Sequence, residues 1–129
     1  MAVCLSSGTI VGVDGFPVRV EVDLLRKLPS VVIVGLPGSA VRESVDRVRS
    51  ALKSIGAKFP KQRVVINLAP GDLPKSGTVF DLPIALGILA SSGQIPPQGL
   101  ADTVFVGELA LDGRLCSIRG ALPLALMAR

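Results

Sequence analysis

The chain has no histidine, tryptophan or tyrosine among its 129 residues, and no lysine follows Lys75. Without histidine, the commonest general base and metal ligand of proteins is excluded. The only two cysteines, Cys4 and Cys116, are too few and too far apart in the sequence for a zinc motif. Because no signal peptide precedes them, we expect both thiols to be buried in a cytoplasmic protein.

Long apolar runs are also missing. The longest, residues 82–90, is far shorter than the roughly 20 residues of a membrane helix and contains Pro83. Charged residues nevertheless make up only 19% of the chain, so apolar surface is expected to remain for contact with another domain or subunit. Residues 120–129 have the pattern of a helix without a cap, which suggests one domain cut from a longer protein.

Apolar residues in the first third of the chain alternate as they do in strands. This pattern predicts strands at residues 3–13 and 18–25, joined by a hairpin turn at Asp14-Gly-Phe-Pro17, and a short strand at residues 31–34. A helix should follow with Ser39 as its N-cap and Gly56 at its end. Its buried stripe is predicted at helical spacing, as Val41, Val45, Val48, Leu52 and Ile55.

A buried strand is predicted at residues 64–66, followed by a loop rich in proline and glycine. Asp81 then stands where a helix N-cap is expected, with Pro83 in the first turn. A strand at 103–111, a turn at Asp112-Gly113, a partner strand at 115–118 and a final helix complete the chain. This order predicts an α+β fold, a mixed sheet with helices packed on one face.

Several segments along the chain have the form of family motifs: Val34-Gly-Leu-Pro37, Val41-Arg-Glu-Ser44, Arg47-Val-Arg49, Asn67-Leu-Ala-Pro70, Asp72-Leu-Pro-Lys75, Phe80-Asp-Leu-Pro-Ile-Ala-Leu-Gly-Ile-Leu89 and Gly107-Glu-Leu109. Together they resemble the N-terminal domain of the bacterial magnesium-chelatase-like AAA+ ATPases, the family of competence protein ComM, and the resemblance covers nearly the whole chain.

The resemblance implies that residues 1–129 form a single domain with the fold of ribosomal protein S5 domain 2, shared with the proteolytic domain of Lon. It also implies an AAA+ module downstream of residue 129, in which ATP and Mg²⁺ would bind, whereas this fragment itself would hold no cofactor. Members of the family are linked to branch migration of DNA during natural transformation and act as hexameric rings.

A nucleotide-binding P-loop is absent from the sequence. The two Lys-Ser pairs, at Lys53 and Lys75, are preceded by Leu52 and Pro74 instead of the glycine that the motif requires. The loop Gly35-Leu-Pro-Gly38 lies before a helix and could hold a phosphate weakly, but a plain strand-to-helix turn is the favoured interpretation.

The similarity to Lon raises the question of a Ser-Lys peptidase. Alignment with the Lon nucleophile motif places Val79 in the serine position, or Phe80 or Asp81 if the register shifts, and Leu122 in the position of the lysine base. Neighbouring Lys75 and Ser76 cannot replace the dyad, because adjacent side chains rarely point at each other. The sequence therefore predicts no peptidase activity.

Asp81 has two interpretations. The simpler is a helix cap, in which the carboxylate accepts a hydrogen bond from the first turn. The alternative is a polar cluster in the degenerate Lon-like site, retained to fix the loop or to dock the ATPase module, whose members would be Asp72, Lys75, Asp81, Glu108 and Arg119.

Basic residues concentrate between positions 42 and 63, against only Glu43 and Asp46 as acids. Such clustering is typical of contact with phosphate backbones, but it also suits a protein-docking face or a solvated helix surface, and all three remain open. Pairs at i,i+4 spacing would neutralise part of the charge. The candidate binding residues are Arg42, Arg47, Arg49, Lys53, Lys58, Lys61 and Arg63.

We therefore expect a non-catalytic accessory domain of a hexameric AAA+ motor that handles DNA. Its partners would be the downstream AAA+ module, further copies of itself and, through the basic helix, DNA; no membrane is expected. The alternative is a docking domain of a metal-chelatase complex, and a Lon-like hydrolase is the least favoured class.

Overall fold

The computed structural model describes residues 2–129. Its centre is a four-stranded mixed sheet in the order β1-β2-β4-β3. Neighbouring pairs β1/β2 and β2/β4 are antiparallel, whereas β3 runs parallel to β4. The predicted α+β class and mixed sheet are confirmed. The four strands are β1 (Val3–Val11), β2 (Asp14–Leu25), β3 (Ser30–Val34) and β4 (Arg63–Ala69).

One face of this sheet forms the core, because side chains alternate across each strand. The register places Val20 of β2 opposite Leu5 on one side and Leu68 on the other, and all three are fully buried. Helix α3 (Asp81–Ser91) covers this face. Gly87 permits the close approach of α3, since a Cβ at this position would collide with Val22.

The predicted hairpin turn at Asp14-Gly-Phe-Pro17 is wrong. In the structure Val11 pairs with Asp14, so Gly12 and Val13 form a two-residue turn and the predicted turn residues belong to β2. Gly12 has a φ of 66°, the left-handed conformation that such tight hairpin turns require.

The helix predicted between Ser39 and Gly56 is divided into α1 (Ser39–Arg42) and α2 (Ser44–Ser54). Gly38, not Ser39, is the N-cap of α1, and no side chain caps it. Gly56 follows the end of α2 with a φ of 82°, as predicted.

The buried stripe of this helical segment differs in part from the prediction. Val41, Val48 and Leu52 are buried, but Val45 is only half-buried and Ile55 is 61% exposed. The break at Glu43 rotates the stripe, so that Ser44 lies inside instead.

The predicted strand at residues 103–111 is mostly irregular. Val104 forms a single bridge with Ser6, and the Phe105 amide donates to the Ser6 carbonyl at 2.9 Å, so this segment covers the edge of β1. Only β5 (Glu108–Leu109) and β6 (Leu115–Cys116) form the expected hairpin. A short 3-10 turn, Leu100–Asp102, precedes them.

The last helix, α4 (Ala121–Ala128), lies where the sequence predicted it but on the other face of the sheet. A Cβ on Gly8 or Gly15 would meet Met127, and both glycines point away from the core face. The expectation that all helices pack on one face is therefore wrong: small residues on the outer side of the β1–β2 hairpin leave room for α4.

The turn after β3 generates a prediction about stability. Gly35 has a φ of 106°, and a Cβ there would meet the Leu68 carbonyl oxygen well inside van der Waals contact. Gly35→Ala should therefore lower the free energy of unfolding by about 2–3 kcal/mol, measured by urea denaturation.

Gly71→Ala is the matched control, because a Cβ at Gly71 meets nothing within 4 Å and its φ is not in the left-handed region. Its effect should stay within about 0.5 kcal/mol. Equal stability of the two variants would contradict the tight packing of Gly35.

Candidate functional site

A buried ion pair joins α2 to the start of α3. Arg47 Nε lies 2.7 Å from Asp81 Oδ2, and Arg47 Nη2 lies 3.1 Å from Asp81 Oδ1, so the contact is bidentate. The Asp81 side chain is fully buried and that of Arg47 is 19% exposed. The hydrogen bond that Arg47 donates to this carboxylate raises the pKa of the Arg47 guanidinium. A planar guanidinium suits such two-point recognition.

The same two side chains hold neighbouring backbone. Arg47 Nη2 donates to the Ala40 carbonyl at 3.0 Å, an oxygen that an unbroken helix would pair with the Ser44 amide. Asp81 Oδ2 accepts the Leu109 amide at 3.0 Å. The pair therefore fastens the α1–α2 junction, α3 and β5 together.

The capping role predicted for Asp81 is wrong. Phe80 is the N-cap residue of α3, and no side chain caps the helix. The carboxylate points sideways to Arg47 and Leu109 because an ion pair and a backbone amide satisfy it inside the core. Sequence reasoning placed Arg47 among the surface cations and missed this pairing, since residues 34 positions apart carry no local signal.

Lys75 is the second buried charge. It is 1% exposed, and its Nζ donates to the Pro70 carbonyl, which closes the loop between β4 and α3. Burial lowers the pKa of its ammonium group, and the nearby Asp72 carboxylate partly opposes this. The loop is held from outside as well, because the Lys75 amide and carbonyl pair with Leu36 and Gly38.

The Gly35–Gly38 turn is hydrogen-bonded to the Lys75 backbone and packed against β4. Gly38 donates its amide to the Lys75 carbonyl at 2.8 Å, and Gly35 packs against Leu68. These contacts agree with the interpretation as a strand-to-helix turn.

The predicted polar cluster is divided into three parts. Lys75 and Asp72 belong to the loop, and Asp81 pairs with Arg47. Glu108 and Arg119 lie elsewhere, on the wall of a cavity of about 360 Å³ next to Ser76.

The positions aligned with the Lon dyad carry no catalytic pair. Val79, Phe80 and Asp81 are buried, and Leu122 is 70% exposed on α4. Ser76 lines the cavity, whereas the Lys75 ammonium turns away to Pro70. Among residues 2–129, no hydrogen bond links Ser76 to a lysine that could act as its base.

The basic residues, apart from Arg47, lie at or near the surface. Arg42, Arg49 and Lys53 are exposed along the outer side of α1 and α2, and Lys58 and Lys61 are exposed in the segment that follows. Arg49 stacks on the Phe59 ring, 4.1 Å from its centroid. Arg63, at the start of β4, is half-buried beside Ser30.

The expected i,i+4 pairs form only in part. Glu43 lies 3.8 Å from Arg47, but in the described part of the chain Arg42 and Asp46 form no ion pair. Arg42 therefore remains free for an external partner.

Arg26 is a cation that the sequence reasoning missed. It lines a groove of about 460 Å³ together with Lys58, at the end of α3. Gln94 fixes this groove by two hydrogen bonds to the backbone of Lys58, at 2.9 and 2.7 Å. Arg26 lies more than thirty positions before Lys58 in the sequence, so only folding brings the two together.

The prediction of two buried thiols is wrong for Cys4, which is exposed on the outer face of β1, and Cys116 is half-buried. In residues 2–129 no group of three or more histidine, cysteine, aspartate or glutamate side chains is arranged to hold a metal ion. Over the same residues, no helix is both long and apolar enough to cross a bilayer.

The fold and these surfaces define an α+β domain with a basic helix and with a cavity beside the loop that precedes α3. Residues 20–129 match the family model described as subunit ChlI of Mg-chelatase. The chain therefore belongs to the magnesium-chelatase ChlI family of ATPases, and the family resemblance expected from the sequence is confirmed.

Relatives with curated sequences point to one branch of this family. The chain is 48% identical over 118 residues to competence protein ComM of Haemophilus influenzae, covering 92% of this chain and 23% of that protein. It is 46% identical over 111 residues to the uncharacterized protein YifB of Escherichia coli, and the match covers 86% of this chain and 22% of that protein. It is 42% identical over 118 residues to the uncharacterized protein Rv2897c of Mycobacterium tuberculosis, and the match covers 92% of this chain and 24% of that protein. The chain thus spans less than a quarter of each relative.

A double-mutant cycle tests the buried pair. Arg47→Met leaves the buried Asp81 carboxylate without its cation and should lower the free energy of unfolding by about 3 kcal/mol. Arg47→Met combined with Asp81→Leu should cost clearly less than the sum of the single changes, measured by urea denaturation.

The exposed pair Arg114–Asp112, with a separation of 2.8 Å, is the matched control. Arg114→Met removes this ion pair but keeps the hydrogen bond from the backbone amide of residue 114 to Asp112. Because water solvates both charges of the pair, this change should have no measurable effect on stability. Additive single effects at Arg47 and Asp81 would show that the two side chains are not coupled.

The burial of Lys75 predicts a pH dependence. The pKa of the Lys75 ammonium group is lowered in the folded state from its ordinary value of 10.5. As the pH approaches 10.5, the unfolded chain therefore keeps the proton on Lys75 more readily than the folded protein does. The stability of the wild type, relative to Lys75→Met, should therefore rise as the pH increases towards 10.5. Urea unfolding of both proteins between pH 7 and 10.5 measures the difference, and a difference that stays constant would contradict the burial of a charged lysine.

Proposed function

We propose that this chain is a non-catalytic accessory domain, with a fold of the ribosomal protein S5 domain 2 type, in an AAA+ ATPase that processes DNA in the cytoplasm. The chain would precede an AAA+ module that binds ATP and Mg²⁺ and assembles into a hexameric ring. The support for a DNA-related role is the 48% identity to a competence protein over 92% of the chain. The missing P-loop and Ser-Lys dyad support the non-catalytic role of the domain itself.

The observation that supports the proposed DNA contact is that one basic residue of this segment is paired inside the domain, whereas most of the others are exposed. The buried pair uses Arg47 internally, so the contact surface is reduced to cations that point outwards. Arg42, Arg49 and Lys53 are exposed on the helical segment, and Lys58 and Lys61 are exposed in the segment that follows it. We call these five residues the basic ridge.

The shape around Lys58 suits a phosphate backbone. The groove that Lys58 shares with Arg26 presents two cations together with the amide side chain of Gln62, whereas the Gln94 amide is bonded to Lys58 and Ser92. Phosphate contacts of this kind come from cationic and amide side chains and carry no sequence information. Phe59 is occupied by Arg49, so base stacking on that ring is not part of the proposal.

A salt titration tests this contact. Fluorescent DNA should bind weakly and without sequence preference, and its affinity should fall steeply with salt because each neutralised phosphate releases counterions. Replacing Arg49, Lys53, Lys58 and Lys61 with alanine should lower the slope of log affinity against log salt by about one unit for each phosphate that is no longer neutralised.

The matched control removes four exposed cations outside the basic ridge: Arg19, Lys27, Arg114 and Arg129. It has the same net charge as the first variant, so retained binding would show that position matters and not total charge. Equal losses in the two variants, or no binding by the wild type at low salt, would contradict a DNA contact through the ridge.

A second candidate function is a docking domain in a metal-chelatase complex, and the match to the ChlI subunit model over residues 20–129 favours it. In that case the basic ridge would face an acidic protein surface. Salt-sensitive binding to the chain's own AAA+ module, with no binding to DNA, would support this candidate over the first.

A further inference from the structure

The cavity of about 360 Å³ lies between two irregular segments of the chain. One wall is the loop Ser76–Val79, just before α3, and the other is the segment Ser117–Gly120, between β6 and α4. Its volume lies within the range of ligand sites in proteins. Neither the buried ion pair nor the basic ridge uses this space.

Two opposite charges line the cavity without meeting each other. Glu108 and Arg119 form no ion pair, and Arg119 has no hydrogen-bond or ion-pair partner elsewhere in residues 2–129. The Glu108 carboxylate acts on Arg47 only at a distance, through its charge. Each of the two groups is therefore free to bind a ligand group of opposite sign.

Part of the backbone of both walls is also unpaired, whereas the carbonyls of Thr78, Val79 and Gly120 accept hydrogen bonds from within the domain. Within the described residues, Ser117, Ile118 and Arg119 make no backbone hydrogen bond, and neither do Ser76 and Gly77. Residues 117–119 directly follow strand β6, whose only paired neighbour in the described part of the chain is β5, so the opposite edge of β6 is open. The hydroxyl groups of Ser76, Thr78 and Ser117 add further donors and acceptors.

From this arrangement we infer that the cavity binds an extended segment of polypeptide. The segment pairs its backbone with residues 117–119, as a strand added to β6, and places a basic side chain at Glu108 and an acidic one at Arg119. Unpaired backbone on a cavity wall distinguishes this ligand from a compact small molecule, which cannot satisfy a row of amide and carbonyl groups. The inference is independent of DNA binding.

The test uses the 129-residue chain and a pool of random decapeptides with lysine and glutamate fixed at separate positions. Amide resonances of residues 76–79 and 115–120 should shift on titration, measured by NMR. Replacing the fixed lysine with norleucine should weaken binding to the wild type about fivefold, as expected for a partly exposed charge pair. Glu108→Gln should bind the lysine and norleucine pools equally. A third pool has glutamine in place of the fixed glutamate; the wild type should bind it about fivefold more weakly than the original pool, and Arg119→Gln should bind the two equally.

Asp102→Asn with Lys27→Gln is the control, because it removes one exposed acid and one exposed base outside the cavity and should retain both preferences. The dipeptide Lys-Glu should bind far more weakly than the decapeptides. Equal affinity for the dipeptide would identify a small-molecule site instead and overturn the inference. It is also overturned if shifts fall outside the two walls, or if Glu108→Gln keeps the wild-type preference while its spectrum shows an intact fold.

Discussion

The structure depends on the pairing of Arg47 with Asp81. A carboxylate at the base of α3 is fully buried, so it must be neutralised and hydrogen-bonded inside the protein. Arg47 supplies the charge, and the Leu109 amide supplies a further hydrogen bond. Three separate parts of the chain are held by one contact: the broken helix, the start of α3 and the β5–β6 hairpin. The position of the hairpin in turn places Glu108 in the cavity wall.

Around this pair the domain separates two surfaces with different chemistry. Exposed cations lie on the outer side of α2 and the segment after it, whereas the cavity contains one acid, one base and several hydroxyl groups. Lys75 supports the loop between them from within, at the cost of burying an ammonium group. The loop is thus held by an internal contact of its own, from the Lys75 ammonium group to the Pro70 carbonyl.

The comparisons identify the family of the chain, whereas the geometry of its surfaces suggests which ligands this domain binds. The match to the ChlI subunit model and the identity to competence protein ComM define the family of the chain. The activity of the complete relatives belongs to proteins about four times as long as this chain. What this domain adds must come from its own surfaces, and the two proposals assign one ligand class to each: a phosphate backbone to the basic ridge and an extended polypeptide to the cavity.

Local patterns in the sequence determined the main elements and the family. Alternating apolar residues in β2, the β-branched run Val64–Ile66 in β4 and the glycine after α2 are patterns over a few residues, so the sequence alone reveals them. Tertiary structure decided the rest. Asp81 looked like a cap because its only nearby partners in sequence were the amides of its own helix, but folding offered it Arg47, 34 positions away, and a bidentate ion pair in the core outweighs a cap at the surface. The side of the sheet that α4 covers was likewise set by space above Gly8 and Gly15, because alternation reveals which residues share a face but not which helix will cover it.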